Sequence, residues 1–143
     1  MDVQILIWGL MIAAWTDVMY QKIPNEMLLV LLGMKVCLLI VRSDEIGPSV
    51  AGFLIGGIVM LAAYLLSKKG MGAGDVKLMA TVGSYVGADE ILPVLFTSFF
   101  TAAIYSLFRM TRKQIKMKDK LPFAPFVLIG VIKSVLCWKM EQL

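Results

Sequence analysis

Residues 46–66, "IGPSVAGFLIGGIVMLAAYLL", contain no charged side chain. A helix crosses the hydrocarbon of a bilayer with about 20 consecutive apolar residues, so this run commits the chain to a membrane. The rest of the sequence agrees. Of its 143 residues 59% are hydrophobic and 17% charged, with a mean hydropathy of +0.84, whereas soluble domains are about 45–50% apolar. Five further segments have the same character, and the six lie at roughly 3–20, 27–41, 46–66, 76–88, 91–108 and 121–138. The expected fold is all-α, a polytopic membrane bundle of about six transmembrane helices, forming a single membrane-embedded domain over residues 1–143. The second and fourth segments are short, which predicts thin, tilted or partly re-entrant spans. Gly47, Gly52, Gly56 and Gly57 in the third include small residues four apart, a spacing that lets a neighbouring backbone approach closely.

Charge sets the orientation. Lys22 lies in the first connection and Lys68, Lys69 and nearby Lys77 at the third. Arg109, Arg112, Lys113, Lys116, Lys118 and Lys120 crowd the fifth, which makes ten of the fourteen basic residues on alternate connections. Positive loops stay cytoplasmic. Connections one, three and five are therefore expected inside, with both termini outside the cytoplasmic membrane. The run from Arg109 to Lys120 reads as a topogenic loop that meets anionic headgroups of the lipid bilayer. With no aromatic platform beside it, nucleic acid is not an expected partner. No basic residue precedes the first apolar stretch, so that segment is expected to be retained rather than cleaved as a signal. Histidine is absent, and Cys37 and Cys137 stand far apart in apolar runs. No metal site or other cofactor is expected, and both thiols are expected as buried small hydrophobes.

Two acids are placed oddly. Asp17 lies inside the first apolar segment and Asp75 opens the fourth. From Val3, Asp17 is fourteen helical steps away, or about 21 Å, which brings it near the inner boundary but leaves it at membrane depth. Asp75 starts a helix at the same boundary from the opposite direction, so both carboxylates are expected near one plane on the inner side. A carboxylate in a span is costly and usually faces a cavity or partner. Two brought together share a proton, one charged and one neutral. That arrangement suits peptide hydrolysis, the charged member taking a proton from water while the neutral one hydrogen-bonds the carbonyl oxygen. Gly72 and Gly74 fit such a site by permitting unusual backbone angles and leaving room for an extended peptide. The residues alone leave other readings open. Asp75 also serves as a helix N-cap, Gly-rich turns join helices generally, and Pro24-Asn25 is an ordinary turn. A small proton- or cation-coupled transporter or channel would use the same aspartates, and a non-catalytic scaffold of a secretion apparatus would need neither.

"GAGDVKL" at 72–78 resembles the GxGD signature of membrane aspartic peptidases, in the form used by type IV prepilin peptidases. Asp17 followed by Ile23-Pro24-Asn25 is similar to that family's first-aspartate region, and "LPFAPF" at 121–126 to the segment opening its last helix. The resemblance implies a membrane aspartic endopeptidase that removes the short leader of a prepilin or preflagellin-like precursor. The cut falls at the cytoplasmic face, commonly after a Gly, just before the precursor's hydrophobic helix. It implies that Asp17 and Asp75 are catalytic, that Gly72 and Gly74 shape the loop at the second acid, and that Pro122 and Pro125 belong to a supporting segment. Larger family members carry a CxxC-bearing segment and methylate the new N-terminus. No CxxC occurs here, and the chain resembles the compact form, for which methyl transfer is not expected. Three further residues have plainer expectations: Lys77 and Lys35 snorkelling to headgroups, with Lys77 turning inward as the alternative, and Glu26 as a helix-start charge. Pro122 is expected near the first position of the last helix.

Overall fold

A computed structural model describes residues 2–67, 71–112 and 121–143, apart from the side chains of Asp2 and Asp44. Lys68, Lys69 and the stretch 113–120, with its four lysines and Asp119, lie outside the described residues. Six α-helices account for almost all the rest: α1 (Asp2–Tyr20), α2 (Asn25–Val41), α3 (Ile46–Leu66), α4 (Ala73–Val86), α5 (Ala88–Thr111) and α6 (Ala124–Glu141). A short 3₁₀ turn, Ser43–Glu45, joins α2 to α3. Three helices are long and apolar enough to cross a membrane, namely α1 from Val3, α3 and α5. Large apolar side chains such as Trp8, Trp15, Leu29 and Phe96 point outward. On a soluble protein a surface of this kind would be an aggregation liability; in a bilayer it is the lipid-facing coat.

The helices end where the chain chemistry requires. Gln21 closes α1 with φ +52, a left-handed residue that turns the chain toward Pro24. Pro24, extended at φ −66 and ψ 123, fixes the entry to α2. A single residue, Gly87, separates α4 from α5, and at φ +84 that position favours glycine.

The hub is α4. From Leu78 to Tyr85 every residue is buried, and α4 packs against all five other helices. Its 14 residues extend only about 21 Å, so its shortness reflects a core position rather than a thin or re-entrant span. The polar groups on it satisfy themselves locally. Thr81 Oγ1 donates to the Lys77 carbonyl at 2.9 Å, and Ser84 Oγ to that of Thr81 at 2.6 Å, as short hydroxyl side chains do in buried helices.

The closest helix crossing is between α3 and α4. A Cβ at Gly52 would stand 2.1 Å from the Gly83 carbonyl oxygen, and one at Gly83 would stand 2.1 Å from that of Gly52. Gly56 lies against the Met79 carbonyl in the same way, at 2.8 Å. Of the glycines expected to mediate such approach, Gly52 and Gly56 do. Gly47 has open space around it, and Gly57 makes only ordinary contact with Ala80.

Around the hub, α2, α1, α6, α5 and α3 follow one another as neighbours. The ring does not close: among the described residues α2 and α3 have no comparable packing against each other, and the turn 43–45, which touches both, joins them at one end.

Two expectations are corrected here. Cys37 and Cys137 are exposed: each lies on the outward face of its helix, so the thiols meet lipid rather than the core. Lys35 does not snorkel. Its side chain is 2% exposed, with Nζ 3.5 Å from Glu45 Oε2 and 5.4 Å from the centre of the Tyr85 ring. The 3₁₀ turn folds Glu45 back over the end of α2 and supplies a nearer partner than any headgroup.

Candidate active site

The ends of α1, α3 and α5 and the starts of α2, α4 and α6 share one end of the bundle. There a cleft of about 660 Å³ opens between them. Asp17, from the last turn of α1, and Asp75, from the first turn of α4, both line it, together with Gly72, Gly74 and Lys77. Residues 58 positions apart in sequence are thus brought to one cavity, at the same end of the bundle.

The cleft is recessed. Measured from the Gly52–Gly83 crossing, α3 continues fourteen residues to Leu66 while Asp75 lies eight residues away. At 1.5 Å per residue the carboxylate stands about 9 Å short of the α3 end. Likewise α5 contributes Phe99, Ala102 and Ser106 to the wall and then runs on to Thr111. The site therefore sits below the rims of α3 and α5.

Each carboxylate is anchored at a helix N-terminus, where backbone N–H groups lack intrahelical acceptors. For Asp75 the anchor is local. Gly72 is the N-cap of α4 and Asp75 the third residue inside it, not the cap itself as its sequence position suggested. Asp75 Oδ2 accepts the Gly72 N–H at 3.3 Å, and the Asp75 N–H donates to the Gly72 carbonyl at 3.1 Å. This is the acidic half of a capping box. For Asp17 the anchor is remote. The side chain is 5% exposed, and its Oδ2 accepts the Ala124 N–H at 3.0 Å, across 107 positions. Asp17 thus caps α6.

The "LPFAPF" segment is where that helix starts. Phe123 is the N-cap and Pro125 lies within the first turn. Pro122 precedes the helix instead of opening it. Neither proline lines the cleft; Leu121 and Phe123 beside them do. The prolines remove two N–H groups from this helix start, and the Phe126 and Val127 N–H groups are taken by the Phe123 carbonyl. The Ala124 N–H donates to the acid at 3.0 Å, and the Phe123 N–H also faces it.

Gly72 and Gly74 adopt ordinary backbone angles. Gly72 has φ −82 and ψ 145, Gly74 is helical, and Gly87 is the sole positive-φ glycine among the described residues. An added Cβ would meet Asp75 Oδ2 at 3.6 Å from Gly72 and Ile23 Cβ at 3.5 Å from Gly74, both ordinary contacts. What these glycines provide is space beside Asp75. Lys77 is exposed, and its Nζ donates to Asn25 Oδ1 at 3.3 Å, joining α4 to the start of α2. It does not turn into the core. Glu26 is exposed in the first turn of α2, as expected of a helix-start charge.

Sequence reasoning missed Gln21, Phe99, Ser106 and the Ala124 amide. Gln21 stands four residues after Asp17, but in the turn that closes α1 rather than on the helix, so no helical spacing points to it. The α5 residues and a backbone N–H carry no sequence signal of their own.

The fold and site together define a class: a polytopic helical membrane protein with two carboxylates in one recessed cleft. The chain belongs to the type IV leader peptidase family, whose sequence model matches residues 4–107. It is 28% identical over 128 residues to the prepilin leader peptidase/N-methyltransferase of Bacillus subtilis, covering 89% of this chain and 52% of that protein. The proteins of the same name from Stutzerimonas stutzeri and Pseudomonas aeruginosa are each 28% identical, over 136 and 133 residues, covering 88% of this chain and 46% of theirs. The chain spans about half the length of these curated relatives. No solved structure gives a significant match.

Proposed function

We infer that the chain is an aspartic endopeptidase that removes the leader of a type IV pilin-like precursor, with Asp17 and Asp75 as its catalytic pair. The observation that carries this reading is the convergence of these two acids, from separate helices, on one cleft. Family membership supports it, as does the peptidase activity named for the relatives. The inference is confined to leader cleavage.

In the proposed chemistry the two carboxyls of the cleft hold one proton between them. The charged carboxylate takes a proton from water as the oxygen adds to the scissile carbonyl carbon. The neutral carboxyl hydrogen-bonds the carbonyl oxygen and passes its proton as negative charge builds there. Collapse of the tetrahedral intermediate breaks the C–N bond, and the amine leaves carrying a proton returned by a carboxyl. Recession of the cleft below the helix rims sets the reaction beside lipid, where the hydrophobic helix of a precursor lies. Lys22, Lys77, Arg109 and Arg112, at this end of the bundle, support a cytoplasmic orientation for it. In that orientation both termini are outside and the host bilayer is the cytoplasmic membrane.

The test is incubation of the purified chain, in detergent or vesicles, with a pilin-type precursor, reading the new N-terminus by mass spectrometry. Asp17→Asn and Asp75→Asn are each expected to reduce cleavage to background while helicity and membrane insertion stay intact. A normal rate in either variant removes that residue from the pair. Failure of the unsubstituted chain to cut any pilin-type precursor overturns the reading.

A further inference from the structure

The ring of helices around α4 is open at one place. Between α2 and α3, with α4 as floor, lies a furrow of about 580 Å³. Leu28, Leu29 and Leu32 form one wall and Leu54, Ile58 and Leu61 the other. The floor is made by Ala80 and Thr81 with Gly57 beside them, small side chains that admit a close approach. Thr81 does not make it polar, because its hydroxyl is already bonded to the Lys77 carbonyl. From Phe53 to Leu61 the α3 wall is about 12 Å long, or about two helical turns.

The furrow adjoins the catalytic cleft. Asn25 and Lys77 line both, and the hydrogen bond between them stands at the threshold. Chain leaving the acids past this threshold passes from the cleft into an apolar trough. At the far end the turn 43–45 bridges α2 and α3. The open length is therefore the part next to the acids.

We propose that this furrow receives the first two turns of the hydrophobic helix that follows the scissile bond of the substrate, and so sets the register of cleavage. The proposal rests on the peptidase reading above and adds the surface that recognises the substrate. Leader peptide alone offers nothing apolar to fill such a trough. A lipid chain fits the walls but has no reason to adjoin the acids. A helix joined to the scissile peptide meets both requirements: its apolar face buries against leucines and its small-residue floor allows close packing, while the preceding extended residues lie beside Gly72 and Gly74. Discrimination between precursors then falls on the shape of that helix's first two turns, and the distance from furrow to acids fixes which peptide bond is cut.

Photocrosslinking tests the occupant. Benzoylphenylalanine is placed at Leu29 or Ile58 in the furrow, and at Trp8 or Phe96 as lipid-facing controls with comparable exposure of the native residue. The full chain carries Asp75→Asn and sits in vesicles with a synthetic precursor, a short polar leader ending in Gly followed by an apolar helix of about 20 residues. Adducts from positions 29 and 58 are expected at about tenfold the control yield, mapping to the first two turns of the precursor's helix. Equal yields, adducts on the leader, or adducts with lipid alone overturn the proposal. In the active chain, Leu54→Trp narrows the furrow and is expected to raise KM for the precursor about tenfold with kcat within about twofold, a loss of uniform binding. Phe96→Trp changes neither constant. An unchanged KM in Leu54→Trp overturns the furrow while cleavage by the unsubstituted chain still upholds the peptidase. Crosslinks at positions 29 and 58 with no cleavage by the unsubstituted chain do the reverse.

Discussion

Asp17 does two jobs that substitution can separate. Its carboxylate stands in the candidate cleft, and the same side chain accepts the Ala124 N–H at 3.0 Å and so begins α6. Asparagine keeps an acceptor oxygen at that place; alanine has none. Both substitutions delete the charge, so the cost of burying it cancels when the two variants are compared. What remains is the acceptor for a buried amide. Leaving such a donor unsatisfied costs about 1–3 kcal/mol, and loss of a helix cap typically costs about 1 kcal/mol. Asp17→Ala is accordingly expected to be about 2 kcal/mol less stable than Asp17→Asn, a factor of about 30 in the unfolding constant. Reversible unfolding in mixed micelles, followed by circular dichroism, measures the difference. Hydrogen exchange over 123–127 locates it, with faster exchange at Ala124 in Asp17→Ala alone. Both variants are expected to be inactive under the proposed mechanism, so activity does not confuse the comparison. Equal stability with equal protection at Ala124 would refute the claim that this acid holds the start of α6.

Other perturbations test other parts of the molecule. Gly52→Ala or Gly83→Ala puts a methyl group 2.1 Å from a carbonyl oxygen at the α3–α4 crossing. Forcing the helices apart is expected to cost about 1–3 kcal/mol or more, seen as a lower unfolding midpoint; an unchanged midpoint would show that the crossing is looser than described. Gln21→Gly relieves a left-handed residue at the end of α1 and is expected to stabilise by about 1 kcal/mol, measured in the same way. At Gly74 the added methyl of alanine fits against Ile23 at 3.5 Å. Stability is expected to hold or improve by up to about 1 kcal/mol, while precursor cleavage falls by about tenfold or more because the space beside Asp75 is filled. A stable, fully active Gly74→Ala would show that substrate does not pass there.

The sequence made the fold legible wherever hydropathy alone decides. α3 was expected over 46–66 and lies at Ile46–Leu66, because an uncharged run of that length has no other way to satisfy its backbone in lipid. The last helix was placed three residues early, since "LPF" is apolar enough to extend it, whereas the cap set by Asp17 starts it at Ala124. α4 read as a short span because hydropathy sees length but not neighbours; its burial on every side is a property of the other five helices. Lys35 was misread for a related reason. Its burial carried a signal, but its partner Glu45 reaches it only through the fold of the turn at 43–45. The glycines of the acidic motif were expected to permit unusual torsions and to leave room, and their torsions are ordinary. A Gly in sequence announces permission, not use; only the backbone tells whether it serves angle, approach or empty space.

The two halves of the candidate site differ in what holds them. Asp75 is tied to Gly72 three residues away, so its geometry survives wherever the first turn of α4 forms, and a short motif can record it. Asp17 is tied to Ala124, 107 positions away, so its geometry exists only once α1 and α6 have docked. That contact is between a side chain and a backbone amide, for which almost any residue at 124 other than proline would serve, and no residue pattern records it. A site assembled in this way has its less adjustable acid set by local chain geometry and its other acid set by the closure of the bundle. Loosening α6 without touching either aspartate therefore displaces Asp17 first. A lesion in the α5–α6 interface, for instance at Gly130, where a Cβ would lie 2.6 Å from Ser98 Oγ, is thus felt at the cleft through Asp17 rather than Asp75.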